Sequence, residues 1–265
     1  KPAINDAFAL PDITNLSGEI EIRGLTFSYG ENQPPVLKNI SLRIPRGSTA
    51  AIIGPTGSGK STLTSLIPRV YDPPPGTVFI DGHDIRTIPL RILREHIGIV
   101  PQETFLFSES IKENIAYGID THSDPQLYEA VTISQFRENI EAFPERYETM
   151  LGERGINLSG GQKQRAAISR AVIREPKILI LDDALSSVDT KTEEEILRGL
   201  KYVMKSRTSI IISHRISTIK DSDIIYVLDD GEIAAQGTHD KLLALGGLYA
   251  GLYQKQLLTE ELELE

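Results

Sequence analysis

The run Ala50-Ala51-Ile52-Ile53-Gly54-Pro55-Thr56-Gly57-Ser58-Gly59-Lys60-Ser61-Thr62 constrains the fold of this 265-residue chain more than any other stretch. Its apolar opening reads as a buried strand, a glycine-bearing loop follows without a gap, and Ser61 begins a helix. The loop fits G-x-x-x-x-G-K-[ST] at Gly54, Gly59, Lys60 and Ser61. Glycines carry no Cβ, so successive amides from Thr56, Gly57, Ser58 and Gly59 can close around a polyphosphate. The positive end of the following helix, where Thr62 sits, adds to that field. Lys60 supplies a point charge near the β- and γ-phosphates, and the Ser61 hydroxyl can ligate Mg²⁺. The alternative is a glycine-rich turn that matches by chance. An apolar strand placed directly before it argues for nucleotide binding.

Around this loop, extended and helical patterns alternate. Ile20, Ile22 and Leu25 run toward Thr26-Phe27-Ser28-Tyr29, and a second extended run over 37–44 ends at the turn Pro45-Arg46-Gly47. Thr77-Val78-Phe79-Ile80 enters a turn at Asp81-Gly82; residues 88–96 suit a short helix and 97–100 a buried strand. From about 103 to 170 the character is helical. There Asp124 is the expected N-cap with Pro125 at the first helical position, and the pattern continues to about Phe143. A further helix follows Gln162 to about Ile173. Strands are then expected at 177–181, 208–212 and 223–228, and helices at 190–205 and 216–220. A hairpin flanks Asp229-Asp230-Gly231 and a helix opens near His239. The expected class is α/β: a phosphate-loop core with a mostly parallel sheet, an antiparallel β subdomain and an inserted helical subdomain over about 103–170.

Composition excludes several functions. Asp and Glu number 37 against 28 Lys and Arg, a net charge of −9, so no nucleic-acid partner is expected. There is no cysteine, which removes disulfide and thiol chemistry. Apolar runs such as Ile178-Leu179-Ile180-Leu181 fall far short of the roughly 18 residues a membrane helix needs. Residues 1–17, carrying two prolines and no period, read as an arriving linker, and 254–265 as an acidic tail. The chain does not begin with Met, as expected of a piece of a longer one.

The strand at 177–181 delivers Asp182-Asp183 to its carboxyl end, where open α/β sheets bind ligands. Beside a phosphate loop, Asp182 is a candidate Mg²⁺ ligand and Asp183 a candidate to act on attacking water. Upstream, Leu158-Ser159-Gly160-Gly161-Gln162 resembles the signature of the ATP-binding cassette (ABC) ATPases. The resemblance covers roughly 18–253 and is to the nucleotide-binding domain of an exporter. It implies ATP with Mg²⁺. It also implies that Tyr29 stacks on adenine, that Gln102 reaches the Mg²⁺ and the water, and that His214 contacts the γ-phosphate. The π-face of Tyr29 suits that task, local strand packing being its alternative. Of the other histidines, His83, His96, His122 and His239 receive structural readings, His239 as a helix-start residue.

In this family two domains pair head to tail. By resemblance, Ser159, Gly160, Gly161 and Gln162 cover the nucleotide held by the partner's loop, as a second anion cradle at a helix start. Ser186-Ser187-Val188-Asp189 resembles the loop that crosses that interface. Gly152-Glu153-Arg154-Gly155 resembles the exporter loop that senses the transmembrane part. Thr104-Phe105-Leu106-Phe107 offers exposed apolar groups for membrane-domain helices, or else packs in the core. The implied setting is the cytoplasmic face of a membrane, with transmembrane domains N-terminal on the same polypeptide.

One position departs from the pattern. Most relatives carry glutamate where this chain has Asp183. Aspartate is one methylene shorter, so its carboxylate retreats by roughly 1–1.5 Å, and a misplacement near 1 Å can cost about 10²-fold. The expectation is retained nucleotide binding with poor hydrolysis, as in the degenerate half of a heterodimeric bacterial multidrug- or lipid-type exporter whose partner carries the glutamate. The alternative is a soluble ABC-type ATPase acting on ribosomes or DNA, but the tandem cassettes or coiled coils of those proteins are not seen here. A kinase or GTPase on the same loop is opposed by the signature and by the lack of Asn-Lys-x-Asp.

Overall fold

A computed structural model describes residues 4–152 and 158–263. Their backbone contacts divide the chain into two compact units, Lys1–Arg94 with Thr208–Glu265, and Glu95–Arg207. In chain order the elements are β1 (Ile20–Phe27), β2 (Leu37–Ile44), β3 (Thr49–Ile53), α1 (Lys60–Leu66), β4 (Val78–Ile80), β5 (His83–Asp84) and α2 (Leu90–Glu95). The second unit brings β6 (Ile97–Val100), α3 (Ile111–Ile115), α4 (Asp124–Ile133), α5 (Arg137–Ala142), α6 (Gly160–Ile173), β7 (Ile178–Asp182) and α7 (Thr190–Met204). The first unit resumes with β8 (Thr208–Ile212), α8 (Ile216–Ile219), β9 (Ile224–Asp229), β10 (Glu232–Gly237), α9 (His239–Leu245) and α10 (Gly247–Glu263).

In the first unit β3 lies between two parallel neighbours, β8 and β9, and β10 returns antiparallel to β9. Residues 50–53 of β3 and all of β8 are buried, as parallel strands covered on both faces must be. A separate antiparallel sheet has the order β2-β1-β4-β5. Its β1 alternates only in part, because the pairing with β2 slips between Ile22 and Leu25, where Gly24 takes φ 55°. The inserted residue re-aims Leu25 and Phe27 at the core. In the second unit β6 and β7 pair in parallel, with α3 and α4 packed on α6. The expected α/β class, with parallel and antiparallel sheets and a helical insertion, is the fold observed.

Three local expectations differ from the structure. The N-cap of α4 is Ser123, not Asp124: its side chain accepts from the Gln126 amide while the Gln126 side chain accepts from the Ser123 amide. Asp124 thereby becomes the first helical residue. The helix expected to reach Phe143 ends at Ile133, because Gln135 adopts φ 55° and restarts the chain as α5. Among the described residues, 4–17 form no helix or strand, yet they are pinned. Ile13 and Leu16 are buried, Asp6 accepts from the Leu90 amide, and the buried Arg69 guanidinium donates to the Asn5 carbonyl. Residues 254–263 lie on α10.

Candidate functional site: two sets of strand-end residues

The β3–α1 loop is shaped by what surrounds it. A Cβ on Gly54 would overlap the Leu228 carbonyl oxygen and stand 2.9 Å from Ser58 Oγ. Behind the loop, the Gly231 amide donates to the Ser58 carbonyl (3.2 Å) and the Lys38 amide to the Gly231 carbonyl (2.8 Å). Gly231, at φ 81° in the β9–β10 turn, can make that approach because it lacks a side chain. Lys60 Nζ donates to the carbonyls of Gly54 (2.9 Å) and Pro55 (2.8 Å), so the same ammonium closes the loop on itself.

The fit to a phosphate chain rests on three observations. Helix α1 begins after Gly59 at φ 100° with no side-chain cap and no acidic residue in its first turn. Ser58 Oγ is buried and makes no hydrogen bond. Pro55, Thr56, Gly57 and Ser61 are exposed at the mouth of the loop. Uncapped amides, a buried hydroxyl needing a partner and walls without Cβ atoms suit an anion. Among the described residues no group of His, Cys, Asp or Glu could hold a metal by itself. Mg²⁺ characteristically uses few protein oxygens plus those of a phosphate, so this chain's oxygens fit it in that shared form.

Tyr29 stands beside this loop. Its hydroxyl is 2.8 Å from Thr62 Oγ1, and its ring meets Phe27 and Tyr71 edge-on at 5.3 and 5.1 Å. Edge contacts on two sides leave the ring 48% exposed, a face that can take a flat partner. Tyr71, itself exposed, was not legible as part of this group, because nothing in its sequence context ties it to Tyr29. His214 follows β8, whose Ile212 is in register with Ile52 of β3. Parallel pairing therefore releases His214 at the same end of the sheet as Gly54.

The second unit repeats this logic. Val100 pairs with Leu181, so Gln102 and Asp182-Asp183 leave adjacent parallel strands at the same end. Both aspartates are 7% exposed, whereas Gln102 is exposed. Asp183 takes φ 47°, a left-handed conformation that aspartate tolerates better than most residues. After Gln102 the expectation of an exposed apolar run holds only in part. Phe105 is exposed, but Leu106 is fully buried. Asn114 bonds both the amide and the carbonyl of Phe107, and Arg170 bonds the Phe105 carbonyl.

Ser159 is the N-cap of α6. Its hydroxyl accepts from the Gln162 amide and Gln162 Oε1 accepts from the Ser159 amide, a capping box written in the S-x-x-Q spacing. A Cβ on Gly161 would stand 2.9 Å from the Ser187 carbonyl oxygen, so the start of α6 lies against residues 186–188. The fastening is Gln164, a residue the sequence reading passed over. Its Nε2 donates to Ser186 Oγ (3.0 Å) and the Asp183 carbonyl (3.4 Å), and its Oε1 accepts from the Ser187 amide (2.9 Å). Gln164→Leu should therefore lower stability by about 1–3 kcal/mol, since the Ser187 amide and the Asp183 carbonyl both lose a partner. Thermal melting checks this, and an unchanged midpoint would refute it. Asp189 caps α7, and the Thr192 amide it accepts from holds its carboxyl below the usual range. Of residues 152–155, only Gly152 is among the described residues.

Among known proteins, the family described as ABC transporter matches residues 37–186. The chain is 44% identical over 253 residues to ATP-binding cassette sub-family B member 6 of Xenopus tropicalis, covering 96% of this chain and 30% of that protein. It is 44% identical over 260 residues to the ATP-dependent lipid A-core flippase of Syntrophus aciditrophicus, covering 98% and 43%. A solved structure of a bacterial Atm1-family ABC exporter with ATP bound superposes with a TM-score of 0.89 at 42% identity, covering 94% and 44%. The chain thus spans less than half the length of each.

Proposed function

This chain belongs to the ABC transporter family, and from that premise we propose that it is the ATP-binding and ATP-hydrolysing motor domain of an exporter. The observation that carries the reading is the loop at 54–62, walled by Gly54 and opening onto the uncapped start of α1. In this reading the amides of 56–59 and Lys60 hold the β- and γ-phosphates, Thr62 lies at the first turn, and Tyr29 takes the adenine. Ser61, Gln102 and Asp182 are the residues that would hold Mg²⁺, which would neutralise the charge that develops on the phosphates. Asp183 orients the water that attacks the γ-phosphorus, and His214 donates to a γ-phosphate oxygen.

The signature serves a second nucleotide-binding domain. In the capping box the Ser159 oxygen is used as acceptor, which leaves its proton to donate to a phosphate, alongside the amides of Gly160 and Gly161. We take the assembly to be a head-to-tail pair with ATP between the chains, the partner supplying a glutamate where this chain has Asp183. The transmembrane domains would precede this domain on the same polypeptide and set it at the cytoplasmic face of the membrane. Phe105 and its neighbours would face them. No helix of the described residues is long and apolar enough to cross a membrane.

Titration calorimetry with ATP–Mg²⁺ and size exclusion with and without nucleotide test this reading. Saturable binding and nucleotide-dependent association are expected, and Tyr29→Ala should weaken ATP about tenfold, the worth of one stacked base. Inorganic tripolyphosphate, which has no base, should bind the variant as it binds the parent. Absence of ATP binding by the parent chain would overturn the reading.

A further inference from the structure

Helix α8 begins two residues after His214, yet its N-cap, Arg215, makes no side-chain capping bond. The Ile216 amide instead donates to Gln256 Oε1 at 2.7 Å, from 40 positions further along the chain. Gln256 lies on α10 with Tyr249 and Tyr253, at the spacing that puts three side chains on one helix face. That face is anchored: Tyr249 is 1% exposed and its hydroxyl is 2.7 Å from His239 Nδ1 at the start of α9. The His239 ring meets those of Tyr249 and Tyr253 edge-on at 5.8 and 5.5 Å. Leu257 and Leu258 project toward solvent instead.

The segment between β8 and α8 is therefore held at two ends. At one end Ile212 is locked in the β3–β8 ladder, and Ser213 Oγ accepts from the Arg215 amide (3.0 Å). At the other end Gln256 fixes the first amide of α8. We propose that Gln256 is a positioning residue for His214, making the C-terminal helix part of the γ-phosphate-reading apparatus. The inference rests on His214 contacting the γ-phosphate, as proposed above. A histidine that donates to one phosphate oxygen needs its backbone set before the ligand arrives, and a supporting hydrogen bond of this kind does so. Gln256 touches no nucleotide in this scheme; its effect passes through the backbone of 214–216.

The test compares ATP and ADP affinity by calorimetry, with melting temperatures, for the parent chain, His214→Ala, Gln256→Met and Gln256→Glu. His214→Ala and Gln256→Met should each weaken ATP about tenfold while moving ADP less than about twofold, the loss expected for a hydrogen bond to a charged oxygen. Gln256→Glu keeps an oxygen acceptor for the Ile216 amide and places negative charge at a helix start, so it should retain the parent's preference for ATP. If His214→Ala leaves both affinities unchanged, the assignment of His214 falls and this inference with it. If His214→Ala weakens ATP but Gln256→Met does not, the inference alone is overturned. It is equally overturned if Gln256→Met weakens ATP and ADP together while lowering the melting temperature, or if Gln256→Glu behaves like Gln256→Met.

Discussion

Gly54→Ala should abolish measurable ATP binding and lower the melting temperature by roughly 6–12 °C. The added methyl has nowhere to go, because the Leu228 carbonyl oxygen and Ser58 Oγ already occupy its position. The Leu228 oxygen, 2.0 Å away, is backbone rather than a flexible side-chain end, so either β9 or the loop must shift. Overpacking of this kind costs about 3 kcal/mol, and in a chain of this size each kcal/mol moves the midpoint about 2–4 °C. Gly57→Ala is the control within the same loop. Its Cβ would meet nothing within 4 Å, although φ is +81°. Only backbone strain of about 1 kcal/mol then applies, and ATP affinity should change by no more than about fivefold. Equal damage from the two substitutions would mean that local space at Gly54 is not what shapes the loop.

Asp183→Glu should raise ATP turnover at this chain's own site about 10²-fold, with ATP affinity little changed. The added methylene returns the carboxylate by roughly 1–1.5 Å toward the attacking water, and a displacement near 1 Å carries a rate cost of that order. The backbone is prepared to hold the longer side chain. The Asp183 carbonyl accepts from the Ser186 amide (3.2 Å) and from Gln164 Nε2 (3.4 Å), so 183 does not swing when its side chain changes. Glutamate is less at ease at φ 47°, and a stability loss of about 1 kcal/mol should accompany the gain. Steady-state phosphate release and a thermal melt, run on parent and variant with the same partner domain, read both effects. A parent already as fast as the variant would end the degenerate-site reading.

What the sequence made legible was local. The strand before Gly54, the loop and α1 could be read because a glycine and lysine pattern must be contiguous to work. The strands before Gln102, Asp182 and His214 could be read as short apolar runs, and Asp182 as a carboxylate at a strand end, whereas Gln102 and His214 were singled out only by resemblance to the family. The start of α4 was misread by one position, since Ser123 and Asp124 are both good caps. The S-x-x-Q spacing from Ser123 to Gln126 was the signal that decides between them. The break at Gln135 carries no such mark, because glutamine is an ordinary helix former that here takes φ 55°, with its carbonyl accepting from Arg165 30 positions away. Gln164 and Gln256 were invisible for a different reason. Each is a polar residue on a helix, and only the folded chain shows that the first meets Ser186 and Ser187 and the second the amide of Ile216.

The turn Asp230-Gly231 behind the loop has a consequence for the thermodynamics of nucleotide capture. Its Gly231 amide fixes the Ser58 carbonyl, and Lys38 secures the turn both through its own amide and through an ammonium contact of 2.7 Å with Asp230. The loop's conformational entropy is thus lost when the chain folds, not when the phosphate arrives. Association then carries little ordering penalty. Its heat and salt dependence should report desolvation and charge at Lys60 and the amides, because the loop is a mould already set.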